Sequence, residues 1–107
     1  MTGRKLREDL EVIKNTLHEE SAINSLDTII YKIYKSHYFH TNLEEPQGTG
    51  WYNVIYYDKN SKVYKFEELL YNAELKTWFQ NADTQIINYY NYYKNRLGKN
   101  HIVAWEY

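Results

Sequence analysis

The chain has 107 residues, 43% apolar and 25% charged, and a formal charge of −1 from 13 basic and 14 acidic side chains. These values fit one folded domain around one core and exclude an intrinsically disordered chain. Residues 1–50 carry 6 basic and 8 acidic groups and residues 51–107 carry 7 and 6, so neither half has the cationic excess of phosphate-dominated binding. The absence of cysteine excludes disulfides and thiolate chemistry. No apolar run is long enough to span a membrane, and the charged start MTGRKLRED does not read as a signal peptide. The cytoplasm is the expected compartment. Thirteen tyrosines, with three tryptophans and three phenylalanines, mean that rings must supply much of the buried area. Their polar tips need partners.

Residues 4–39 contain neither proline nor glycine, and their apolar period is helical. Leu6, Leu10, Ile13 and Leu17 form one stripe, with Thr2 placed to cap it. Ile23, Leu26, Ile30 and Ile33, widened by Ile29 and Tyr34, form a second and broader one. The polar stretch from His18 to Ser21 is the expected break, with Ser21 as N-cap. One bent helix and two separate helices both satisfy the pattern. Residues 40–50, with Pro46, Gly48 and Gly50, read as a loop.

Residues 51–66 read as a β-hairpin, two Val-, Ile-, Tyr- and Trp-rich runs flanking the turn cluster Asp58 to Lys62. Trp51, Asn53, Ile55 and Tyr57 share one face, and Tyr52, Val54 and Tyr56 the other. Neither face is plainly polar, so both are expected to be covered. Residues 67–80 are expected to form a helix, with an extended alternative for part of the stretch. Asn81 to Thr84 would cap a last helix over 84–97, ended by Gly98. Residues 101–106 have strand propensity and could add a third strand. The expected class is α+β: N-terminal helices packed on a short antiparallel sheet with C-terminal helices.

The stretch INYYNYYKNRL, 87–97, resolves on a helical wheel of about 100° per residue. Tyr90 and Tyr93 fall with Ile86 and Leu97 on an apolar face, opposite Asn88, Asn91 and Asn95. Tyr92 faces outward, and Tyr89 sits at the boundary beside Arg96, a composition typical of interface hot spots.

Catalytic signatures are missing. His37 and His40 are spaced as a helical metal pair, yet lack obvious third and fourth ligands, and read as ordinary histidines where a helix gives way to a loop. The acidic pairs Glu19-Glu20, Glu44-Glu45 and Glu67-Glu68 are adjacent residues that point apart. Gly48-Thr49-Gly50 precedes a strand, whereas a dinucleotide-binding loop would follow one. An enzyme is not expected, nor a metal or other cofactor.

The order helices, Trp-led hairpin and Tyr-rich Y-x-x-Y-K-x-R-x-G stretch is similar to the small bacterial immunity, or antitoxin, proteins of polymorphic and contact-dependent toxin systems, YezG-like members among them. The residues that carry the resemblance are Trp51 and Asn53, Ser61-Lys62-Val63, Gln85-Ile86-Ile87, and Tyr89-Tyr90 with Tyr92-Tyr93-Lys94. It implies a cytoplasmic protein that binds a toxin domain, frequently a nuclease, and blocks it without catalysis. The expected contact residues are Tyr89, Tyr92 and Arg96 on the last helix, and Trp51, Tyr52, Tyr56 and Tyr64 on the hairpin. Glu44 and Glu45 would meet a basic groove. Two alternatives stay open: a phage-encoded inhibitor of a host defence nuclease, and a single-stranded nucleic-acid-binding module with hairpin rings stacking bases beside Lys59, Lys62 and Lys65. The charge balance disfavours the second. Oligomeric state is not fixed by the sequence.

Overall fold

Thr2 stands in extended conformation and its Oγ1 accepts a hydrogen bond from the Lys5 N–H at 3.3 Å, which starts helix α1, Gly3–Thr16. The computed structural model describes residues 1–33, 37–41, 44–81, 84–88 and 100–106, with the backbone alone described for 81 and 84–88. Leu6 and Leu10 on the α1 stripe are buried and Ile13 and Leu17 pack beside them. The chain breaks after Leu17 and resumes as α2, Glu20–Lys32, so the helical stretch is two helices. Ser21 is not the cap. It lies inside the first turn of α2, and its hydroxyl donates to the Lys62 carbonyl at 3.1 Å, tying the helix to the hairpin turn. Leu26, Ile29, Ile30 and Ile33 are buried, with Ala22 rather than Ile23 opening the stripe. Tyr34 lies outside the described residues.

Among the described residues, one antiparallel sheet of six strands follows: β1 His40–Thr41, β2 Gly50–Asp58, β3 Val63–Asn72, β4 Thr77–Asn81, β5 Thr84–Asn88 and β6 His101–Glu106. Their spatial order is β1-β6-β2-β3-β4-β5. β2 and β3 pair from Asp58 with Val63 to Gly50 with Tyr71. Asp58 organises their turn: its side chain accepts from the Asn60 N–H and the Ser61 hydroxyl, and Lys62 takes a positive φ of 58°. β6 joins the other side of β2, with a register shift between Ile55 and Tyr56. The amino terminus pairs back on residues 37–39: the Met1 ammonium donates to the Phe39 carbonyl at 2.6 Å, and the Phe39 N–H returns to Met1 O at 2.7 Å.

Two expectations are overturned. Residues 67–80 are not a helix: β3 runs on to Asn72 and β4 begins at Thr77. The physical reason is the turn between them. The Asn72 side chain accepts from the N–H groups of Glu74 and Leu75, and Lys76 adopts a φ of 51°, an Asx-type reversal that interrupts any helix. The helix expected over 84–97 does not begin as one either, because Thr84–Asn88 forms β5 against β4. Thr84, Ile86 and Ile87 are β-branched and favour a pleated strand. Residues 89–97 lie outside the described residues, and with them the wheel reading of Tyr89, Tyr90, Tyr92, Tyr93 and Arg96.

The sheet separates two cores. On one face α2 and α1 cover Ile55, Tyr64 and Ala104 with Leu6, Leu10, Leu26, Ile29, Ile30 and Ile33. Ser25 fixes the register of this contact, its Oγ accepting from the Tyr64 N–H at 2.9 Å and donating to the Ala22 carbonyl. On the other face Tyr52, Val54, Tyr56, Leu69, Tyr71, Trp78, Ile102 and Trp105 are buried together.

Candidate partner-binding surface

Strand alternation puts Trp51, Asn53, Ile55 and Tyr57 on the helix-bearing face. The helices contact the half of that face nearest the hairpin turn, around Ile55, Tyr57, Tyr64 and Phe66. At the opposite end, register aligns Trp51 with Leu70 and Leu70 with Phe79, one apolar row across β2, β3 and β4. Trp51 is 52% exposed, while Leu70 and Phe79 are half-buried. The adjoining row is polar: Asn53 pairs with Glu68 on one side and Glu106 on the other. Glu68 is exposed, but Glu106 is 7% exposed. A buried carboxylate needs donors. Here Asn53 Nδ2 donates to Oε1 at 3.3 Å and His37 Nδ1 stands 3.1 Å from Oε2.

Other expected contact residues divide. Tyr52, Tyr56 and Tyr64 are core residues, 8%, 2% and 8% exposed, and this corrects their assignment to the contact surface. Tyr52 donates its hydroxyl to the Gly48 carbonyl at 2.7 Å and Tyr56 to Glu67 Oε2 at 2.9 Å. Burial, then the Glu67 hydrogen bond and charge, push the Tyr56 phenol well above its ordinary pKa. Glu44 is exposed, yet bound up in the fold: Trp105 Nε1 donates to its carbonyl at 2.8 Å, and its carboxylate meets His40 Nδ1 at 2.8 Å. The His40 ring stacks on Trp105, centroids 4.2 Å apart. The Tyr71 hydroxyl reaches the Glu45 carboxylate at 3.5 Å. Trp105, Tyr52 and Tyr71 belong to the aromatic face, so Glu44 and Glu45 serve that face and are not brought beside Trp51. Tyr89, Tyr92 and Arg96 lie outside the described residues.

Leu70, Phe79 and Glu68 are not legible as neighbours in the sequence, because the helix expected over 67–80 would not align them. The available signal was Asn72 as a turn residue between two segments of alternating burial. His37 and His40 are engaged by different carboxylates, Glu106 and Glu44. Among the described residues no three His, Asp or Glu side chains are grouped to hold a metal ion. Of the hairpin lysines, Lys65 pairs with Asp58 at 3.1 Å and Lys62 stands 3.9 Å from Glu19. Among the described residues no helix is long and apolar enough to cross a membrane. No family model, no curated protein and no solved structure matches this chain.

Proposed function

We propose that this chain is a protein-binding inhibitor whose contact surface centres on Trp51, and that its target is a bacterial toxin domain with nuclease activity. The observation that carries the binding reading is the row Trp51–Leu70–Phe79, with a large indole left half in solvent. An aromatic anchor flanked by hydrogen-bonding groups is the composition of an interface hot spot. The toxin assignment rests on the resemblance of the sequence to immunity proteins, and the acidic Glu68 beside the row suits a basic nuclease groove. Base stacking is less well supported, since three of the hairpin tyrosines it would use are buried.

The test is affinity capture from the native host with wild-type chain and with Trp51→Ala, followed by a nuclease assay of the stoichiometric partner. The expected result is one partner whose nuclease activity falls on adding the chain. Trp51→Ala should weaken capture by about 2 kcal/mol, roughly 30-fold, with an unchanged melting temperature. Equal capture by the variant would remove Trp51 from the interface. A partner without toxic activity would end the inhibitor reading. A partner belonging to host defence rather than to a toxin locus would transfer the same surface to a phage-encoded inhibitor.

A further inference from the structure

α2 seats on β3 and α1 seats on α2, and between α1 and the sheet at β6 the fold leaves a cleft of about 750 Å³. Small-molecule sites commonly occupy roughly 300–1,000 Å³, with apolar walls and a few convergent polar groups. Here the walls are Leu6, Ile13, Leu17 and Val103. The floor is a cluster of three rings: Tyr57 packs on Tyr64 at 5.1 Å and stacks on His101 at 5.3 Å, and Tyr64 meets His101 edge-on at 5.9 Å. The charged groups are unevenly spread. Lys59 and Lys62, both on the hairpin turn, line one end with Glu19 as their acidic neighbour. Asp9, also on the lining, is neutralised by Lys5 at 2.9 Å. The turn is held in place, since the Lys59 N–H donates to Asn100 Oδ1 at 2.8 Å and the Lys62 N–H to the Asp58 carbonyl at 2.8 Å.

We propose that this cleft binds an amphipathic monoanion, its carboxylate or phosphate head at Lys59 and Lys62 and its apolar tail along Leu6, Ile13, Leu17 and Val103. Apolar area supplies the affinity and two lysines against one glutamate supply the sign. Tyr57 lines the same cleft, its phenol pKa raised by burial and then by the charges of Glu19 and Asp58. The site is separate from the Trp51 row, and does not depend on the chain being an inhibitor.

Isothermal titration with monomeric decanoate, with decyltrimethylammonium and with phosphatidylglycerol vesicles tests it. Decanoate should saturate one site per chain and the cationic amphiphile should bind far more weakly. Lys59→Ala combined with Lys62→Ala should weaken decanoate about tenfold while thermal unfolding stays cooperative. Equal binding of the two amphiphiles, no saturable decanoate binding, or an unaffected lysine variant would overturn the proposal. Saturation by vesicles without saturation by decanoate would overturn it too, in favour of a membrane surface. Leu17→Asp provides a second check, since it polarises the wall at a half-buried position and should abolish decanoate binding.

Discussion

The two faces of the sheet are buried by different means. Under the helices the core is chiefly aliphatic, and it is held by shape: Leu10 and Leu26 are fully buried and make no polar contact. On the far face the core is chiefly aromatic, and its polar-tipped rings reach particular acceptors, with the buried Trp78 Nε1 as the exception. Tyr52 ends on the Gly48 carbonyl, Trp105 on the Glu44 carbonyl and Tyr71 on the Glu45 carboxylate. Three hydrogen bonds thus tie the short segment 44–48 to the sheet, where a helix would do the same through non-directional burial. The helix-bearing face should therefore respond to lost volume, and the aromatic face to lost direction.

The largest expected effect lies on the aliphatic side. Leu26→Ala removes a fully buried side chain from the α2 contact and should cost about 3 kcal/mol, transfer plus cavity. Urea unfolding measures it, with the loss appearing as a global fall in stability. A smaller but more local loss is expected for Trp105→Phe, about 2 kcal/mol. It removes ring area and the donor to Glu44 together. Hydrogen exchange should accelerate around residues 44–48 before it does in α2. Equal acceleration in both would show that the two faces behave as one core.

How legible these faces were depended on local period. The α1 stripe of Leu6 and Leu10, the Thr2 cap and the Asp58–Lys62 turn cluster are short-range features, and each is visible in a few neighbouring residues. Residues 67–80 are ambiguous because Leu69, Leu70 and Trp78 are compatible with either period taken alone. Deciding between them required the side chain of Asn72 to fold back on Glu74 and Leu75. β5 was hidden in the same way, its edge pairing with β4 being a tertiary fact. For the contact surface, the sequence names Trp51 together with Tyr52, Tyr56 and Tyr64 and does not separate the exposed ring from the buried ones. Tyr52, Tyr56 and Tyr64 were not legible as core residues, because tyrosine suits both a wet surface and a satisfied interior. Glu106 was invisible as a buried acid until β6 set it opposite Asn53.

Smaller effects separate direction from volume on the aromatic face. Tyr52→Phe keeps the ring between Trp78 and Trp105 but leaves the Gly48 carbonyl without its donor. A cost of about 1 kcal/mol is expected, read as a shift in urea midpoint at unchanged slope. It should come with faster exchange confined to the loop. Near-zero cost would mean that water replaces the hydroxyl and that the loop is held through Trp105 and Tyr71.

The smallest effect at neutral pH belongs to Tyr56→Phe, about 0.5 kcal/mol, because the Glu67 side of the bond is exposed and water can replace the phenol there. Its pH dependence is the sharper readout. Burial first, and then Glu67, raise the phenol's pKa in the folded chain, whereas the unfolded chain releases that proton near pH 10. Above that pH the unfolded state holds fewer protons than the folded one, so stability falls as pH rises. The contribution is therefore complete below about pH 10 and is lost as pH climbs toward the raised folded value. Unfolding midpoints across pH of roughly 7 to 11 should decline more steeply in the wild type than in Tyr56→Phe, converging on the alkaline side. Parallel curves would show that the Tyr56 phenol titrates as freely in the folded chain as in the unfolded one. The Glu67 hydrogen bond would then contribute nothing to the aromatic face.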